Sequence, residues 1–163
     1  DVVAGWILGA VLFAVFVWIE SRTLSWFESS GIAEMVVLLV VISIVVLLAA
    51  LFISTEFEAR KSILAPAGAV VGGAFGLSVD RHLLGFRSAG SVRQRLLRAL
   101  AGLILLAPVH LGLSAAFYGV FGEHGGVLAA TFYLVRYALL GVWVALGIPF
   151  IFTRIGLARA RGR

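Results

Sequence analysis

Few side chains in this sequence are equipped for chemistry, and two of them stand where ionisable groups are costly. Arg136 lies nine residues into the apolar run that starts at Val127, about 13 Å along a helix at 1.5 Å per residue. His110 lies eleven residues before Phe121 at the end of the preceding run, about 16 Å by the same rule. Antiparallel neighbouring helices would bring the two to similar depth. An arginine inside a bilayer costs on the order of 3 kcal/mol on insertion scales, so such a residue calls for a partner or a function. No Asp or Glu occurs at that depth, which leaves His110, Ser114, Ser43 and the carbonyl near residue 104 freed by Pro108. Three readings stand side by side: a hydrogen-bonded knot between helices, a contact to a lipid or substrate phosphate, and snorkelling to the surface.

No self-contained active site emerges from the remaining residues. His82, His110 and His124 are scattered without metal-ligand spacing, and no metal or cofactor is expected. There is no cysteine, which excludes thiol catalysis and Cys-ligated metals. Neither a Gly-rich phosphate loop ending in Lys nor a serine nucleophile elbow is present.

The elements that must position Arg136 and His110 are membrane helices. Hydrophobic residues make up 62% and charged residues 13% of the 163, against roughly 25% charged in a soluble domain. Five apolar runs approach the ~20 residues needed to cross a bilayer: Val2–Ile19, Met35–Ile53, Leu64–Val79, Leu96–Phe121 and Val127–Phe152. The expected fold class is therefore all-α, a polytopic membrane protein of about five transmembrane helices. Gly68, Gly72 and Gly76 recur at four-residue spacing in the third run. Glycines so spaced form a flat stripe for close helix approach, or a gap that admits a substrate tail. Ser91 and Gln94 have capping-box spacing, which starts the fourth helix before its apolar run.

Charge placement sets the expected topology. Alternate connections give one side Arg22, Arg81, Arg87, Arg93, Arg95, Arg98, Arg154, Arg159, Arg161 and Arg163, and the other only Arg60 and Lys61. That asymmetry puts the N-terminus outside and the basic C-terminus in the cytoplasm of a cell membrane. The formal net charge of +5 is thus spent on topology or anionic lipid, and nucleic acid is not an expected partner.

The chain opens on Asp1 rather than Met and runs straight into an apolar helix, as a piece of a longer protein would. Asp1 can simply cap that helix. Yet Asp1-Val2-Val3-Ala4-Gly5-Trp6 also resembles the end of the third signature, S-R-x5-H-x3-D, of the PAP2 superfamily of lipid-phosphate phosphatases. Asp1 would match the final Asp, with the catalytic His four residues upstream. Further on, Leu84-Gly85-Phe86-Arg87-Ser88 and Arg136-Tyr137-Ala138-Leu139-Leu140-Gly141-Val142-Trp143 resemble a C-terminal extension carried by some PAP2 proteins. The signatures themselves are missing. Lys61 is followed seven residues on by Gly68 rather than Arg-Pro, no proline precedes Ser-Gly-His, and Glu28 stands where a His should follow Ser21-Arg22.

The resemblance implies that residues 1–19 form the last helix of a PAP2-like catalytic domain and residues 20–163 an accessory region of about four helices with a basic tail. It implies metal-independent hydrolysis of a lipid phosphate or diphosphate in the larger protein. A nucleophilic His would form a phosphoenzyme, oriented by Asp1, and this chain alone would be inactive. Membrane lipids, and the lipid phosphate substrate of the larger protein, are the expected partners. The competing reading is a non-enzymatic membrane module such as a transporter subunit or assembly factor.

The charge asymmetry yields a direct test. A reporter fused after Arg163 is expected to be active only in the cytoplasm, and activity confined to the exterior would overturn the five-span arrangement.

Overall fold

The structure, a computed structural model, describes residues 31–83, 91–121 and 126–156, and all regular structure among them is helical. The helices are α1 (Ile32–Ile53), α2 (Phe57–Leu83), α3 (Val92–Phe121) and α4 (Val127–Val142). A π-helical turn (Trp143–Gly147) then leads into α5 (Ile148–Arg154). With α4, the turn and α5 forming one rod, four helices are long and apolar enough to cross a membrane. The first expected span, Val2–Ile19, lies outside the described residues, as do Asp1, the 84–88 motif and the C-terminal tail. The chain divides into two compact units, Asp1–Met35 and Val36–Arg163, and the packing described below belongs to the second.

Local chemistry explains where the helices start and stop. Ser54, Thr55 and Glu56 link α1 to α2. The Glu56 N–H donates to Ser54 Oγ (3.0 Å), and the Arg60 guanidinium reaches back to the Ser54 carbonyl (2.8 Å). A cation thus sits where the carbonyl dipoles of α1 end. The capping box closes as its spacing predicts: Ser91 N–H donates to Gln94 Oε1 (3.1 Å), and Gln94 N–H to Ser91 Oγ (3.4 Å). Helix α3 therefore begins at Val92, a turn before its apolar run. At the other end of the last rod, Gly156 adopts φ 75°, the left-handed geometry that stops a helix after its final turn.

Helices α2 and α4 run parallel and share the most intimate contact among the described helices. A Cβ built on Gly68 would lie 2.5 Å from the Leu134 carbonyl oxygen, and one on Gly76 would lie 2.8 Å from Ala145 Cβ. At Gly72 it would collide with the Ala138 main chain. From the opposite side, a Cβ on Gly141 would collide with the Ala69 carbonyl and lie 2.6 Å from the Gly73 nitrogen. Lipid tails are as apolar as leucine, so helices in a membrane associate through such close packing rather than through a hydrophobic drive.

Helix α3 runs antiparallel to α4, with Ser114 beside Arg136, Leu105 beside Trp143 and Gly102 beside Ile148. The buried core gathers where α1 ends and α4 begins: Ala50, Leu64, Phe117, Ala130, Tyr133 and Leu134. Elsewhere α1 and α3 present apolar side chains outward, among them Val37, Ile44, Phe52, Leu103 and Leu111, as lipid-facing helices do.

The π turn begins two residues beyond Gly141, which is in close contact with Gly72, and ends just before Pro149. Its closing N–H, that of Ile148, reaches the Trp143 carbonyl five residues back. Pro149 has no N–H to offer the Ala145 carbonyl, so regular α-helix would be interrupted here in any case. The glycine at 147 leaves room for the Trp143 indole to lie against its own helix.

Gly72→Ala should lower stability by at least about 2 kcal/mol through overlap with the Ala138 backbone. Gly73→Ala, whose Cβ would meet nothing within 4 Å, should be neutral or slightly stabilising through helix propensity. Equal melting temperatures for the two variants in detergent would show that the stripe is no seam.

Candidate functional site

Arg136 sits on the α4 face turned toward α3, where Tyr133 and Tyr137 flank it at i−3 and i+1. Its side chain is 6% exposed, so it does not snorkel. The guanidinium Nη2 donates to Ser114 Oγ, and that hydroxyl in turn donates to the His110 carbonyl (2.7 Å). His110 therefore enters the knot through its backbone carbonyl, and Ser114 is the side chain that meets the arginine. Ser43 is committed elsewhere, donating to Leu39 of its own helix (2.7 Å).

Aromatic rings provide much of the remaining surroundings. The Arg136 guanidinium carbon lies 5.1 Å from the Tyr137 ring centroid, 5.6 Å from Tyr133 and 5.8 Å from Phe117. At these distances the negative face of a ring attracts a cation, and more strongly away from water. Arg136 Nε has no hydrogen-bond acceptor among the described residues, so the ring faces compensate a charge that hydrogen bonds leave partly unmet.

One of these rings, that of Tyr133, also reaches a second cation. Lys61 Nζ lies 4.9 Å from the Phe57 centroid, 5.8 Å from Tyr118 and 6.0 Å from Tyr133. It also pairs with Glu58 at 2.6 Å, in the first turns of α2. Phe117 and Tyr133 contact each other edge to face, centroids 5.4 Å apart, and Phe57 stacks on Phe117 at 6.5 Å. The result is an aromatic pile joining α2, α3 and α4, with Lys61 at one side and Arg136 at the other.

A second cross-link lies further along α3 and α4. Trp143 Nε1 donates to the Leu105 carbonyl at 3.2 Å. Pro108 interrupts the α3 ladder just there, and a proline loosens the carbonyls three and four residues before it. Of the partners the sequence offers to Arg136, the structure uses Ser114, while the carbonyl freed near Pro108 is that of residue 105 rather than 104 and is taken by Trp143.

The glycine stripe serves the α2/α4 seam at all three positions. Gly72 also lines an apolar cleft of about 210 Å³ between α1 and the α2/α4 pair, with Leu39, Ser43, Val71, Phe75 and Ala138 among its walls. Gly68 and Gly76 do not reach it. Among the described residues no three His, Asp or Glu side chains gather as metal ligands would. Phe57, Phe117 and Tyr133 were not singled out by sequence reasoning, and Lys61 and Tyr137 were not named as partners in this cluster, although Tyr133-x-x-Arg136-Tyr137 puts two rings and the cation on one helix face.

A glycine-seamed helical membrane module, cross-linked by a buried arginine and lacking clustered catalytic side chains among its described residues, is the class of protein this geometry defines. A family model described as "PAP2 superfamily phosphatase, transmembrane extension" matches residues 64–160, more than half of the chain, and the chain belongs to that family. No curated protein and no solved structure matches. The matched stretch contains the glycine stripe, the Arg136–Ser114 knot, Trp143 and the π turn.

Ser114→Ala should cost about 1.5–3 kcal/mol, since a buried charged group loses its hydrogen-bond partner. Arg136→Leu should be tolerated better than Arg136→Glu, which sets a carboxylate against three ring faces. In the double variant Ser114→Ala/Arg136→Leu the effects should fall short of additive by more than 0.5 kcal/mol, the range of coupled pairs. Strict additivity in thermal denaturation would contradict the knot.

Proposed function

We propose that this chain is the C-terminal membrane part of a PAP2-type phosphatase acting on a lipid phosphate or diphosphate, its accessory helices carrying no catalytic group, and that it hydrolyses no such lipid by itself. The family match over residues 64–160 carries this reading, because the same 163 residues hold no K-x6-R-P, P-S-G-H or S-R-x5-H signature. Phosphoryl transfer needs a nucleophile, a proton donor and cationic clamps converging on one phosphorus. Two of the described cations, Arg136 and Lys61, are turned onto aromatic rings and their own hydrogen-bond partners rather than toward a common phosphate.

In the proposed arrangement Asp1 orients the nucleophilic histidine of the phosphatase. The N-terminus faces outward, the C-terminus lies in the cytoplasm, and membrane lipids surround the helices in the cell membrane. The extension supplies a rigid anchor: a glycine seam fixes α2 to α4, and the arginine knot fixes α4 to α3. Its contribution to the phosphatase is mechanical, and the chemistry belongs to groups outside it.

Reconstituted into vesicles containing phosphatidic acid or an isoprenyl diphosphate, the 163-residue chain should release phosphate no faster than protein-free vesicles. Release above that background, abolished by Arg136→Leu or Lys61→Gln, would overturn the proposal and place an active site within the extension.

A further inference from the structure

The Arg136 knot leaves one ionisable side chain of the membrane interior out of account. His110 gives its backbone carbonyl to Ser114. Its imidazole, half-buried on α3, makes no hydrogen bond or ring contact among the described residues. The residue stands eleven positions before the end of α3 at Phe121, about 16 Å of helix away. A neutral imidazole carries one N–H donor and one acceptor nitrogen. Hydrocarbon offers a partner to neither, so both are costly to leave unmet there.

An apolar strip leads to this histidine along α3. Leu96, Leu100, Leu103, Ala107 and His110 follow one another at four- and three-residue spacing, the heptad rhythm of a helix seam. At 3.6 residues per turn they fall within an arc of about 80°. Leu96, Leu100 and Leu103 are 61%, 58% and 64% exposed, and Ala107 is exposed as well, so no described helix covers the strip. The last rod meets α3 elsewhere, through Gly102, the Leu105 carbonyl and Ser114. At Ser114 the strip runs into the bundle, which leaves His110 at its inner end.

Hydrogen-bond complementarity and the membrane together select the occupant. Copies of one chain inserted in one direction pair in a closed dimer about an axis along the membrane normal. A helix that meets its own counterpart there sets each residue opposite itself at equal depth. The polar member of such a seam must therefore complement itself. Arginine, a donor only, fails this requirement, whereas one imidazole N–H can donate to the acceptor nitrogen of a second. Leucines alone would gain little by leaving lipid, but a single polar residue in a heptad strip fixes register and partner number. We infer that α3 is a homodimer contact: two copies pack in parallel along Leu96, Leu100, Leu103 and Ala107, and His110 of one donates to His110 of the other. This contact is independent of the phosphatase reading, because it requires only the described helices.

The chain contains no cysteine, so a single introduced one reports on a single face of α3. In the full chain reconstituted into phosphatidylcholine vesicles, Leu103→Cys should form an intermolecular disulfide on mild oxidation. Its yield should hold as lipid is added, since a dimer does not depend on chance encounter. Ile104→Cys lies at the same depth but about 100° further round the helix, and the native side chain is 71% exposed. Its yield should be lower by about tenfold, because a bridge needs Cα atoms within about 7 Å. Added to Leu103→Cys, His110→Leu should cut the yield about fivefold, the worth of one hydrogen bond between membrane helices. His110→Asn, whose amide also donates and accepts, should restore it. Should His110→Leu fail to fold, the comparison of the two cysteines and the His110→Asn variant still decide. Equal yields from Leu103→Cys and Ile104→Cys, or a yield that falls in proportion to added lipid, would mean random collision and overturn the contact. An undiminished yield in folded His110→Leu would overturn it too, by removing the group that selects a second copy.

Discussion

Everything in the described bundle depends on how closely the backbone of α4 approaches that of α2. At Gly72 there is no space for a single carbon between the two main chains, and Gly141 returns the same demand from the other helix. In a bilayer this closeness is the source of affinity, since apolar side chains gain little by leaving lipid for each other. The parallel α2/α4 pair is therefore the frame to which α3 is cross-linked. The seam also fixes the rotation of α4, and that rotation directs Arg136 at Ser114 and Trp143 at Leu105.

Given that frame, the buried arginine reads as a lock on helix orientation. Among the described residues this charge is paired with no acid and is held by one hydroxyl and three ring faces, an arrangement that tolerates little rotation of α3 or α4. Its contribution is to specificity more than to stability, since replacing buried ionic groups by well-packed apolar ones is often neutral. Two helix irregularities work in the same direction. Pro108 exposes carbonyl oxygen on α3, and the π turn before Pro149 offsets the last rod. Both occur where an α3–α4 contact is made or is about to be made.

Much of this was legible in the sequence, and the reasons are particular. The Gly68/Gly72/Gly76 spacing announced a seam, because only packing rewards glycine every turn of a helix. Its partner surface, Ala138, Gly141 and Ala145 at three- and four-residue spacing, also lies on one face but was not named, because alanines recur throughout that run and do not mark a face as glycine every turn does. Counting helical rise put Arg136 and His110 at one level, and the structure places Ser114, a turn from His110, against the arginine. Depth is set by chain length, whereas the choice between a ring nitrogen and a hydroxyl one turn away is set by rotation, which apolar periodicity cannot fix when both faces are greasy. The aromatic pile escaped for the same reason: in a lipid-facing chain Phe117 and Tyr133 look like any other apolar residue. The π turn has no composition signal beyond Gly147 and Pro149. The capping box at Ser91 and Gln94 was readable because it depends on four consecutive residues alone.

The central claim is that α2 and α4 touch backbone to backbone, and an interhelical distance tests it without perturbing the protein. A Cβ on Gly72 would lie 2.5 Å from the Ala138 carbonyl carbon, so adding one carbon–carbon bond of about 1.5 Å puts the Gly72 Cα within about 4 Å of that carbon. Solid-state NMR dipolar recoupling between labelled Gly72 Cα and labelled Ala138 carbonyl carbon, in lipid, should return a separation of about 4 Å or less by that arithmetic. A separation above about 6 Å, as helices packed at the ordinary 8–10 Å interaxial distance would give, would contradict the seam and the arrangement built on it.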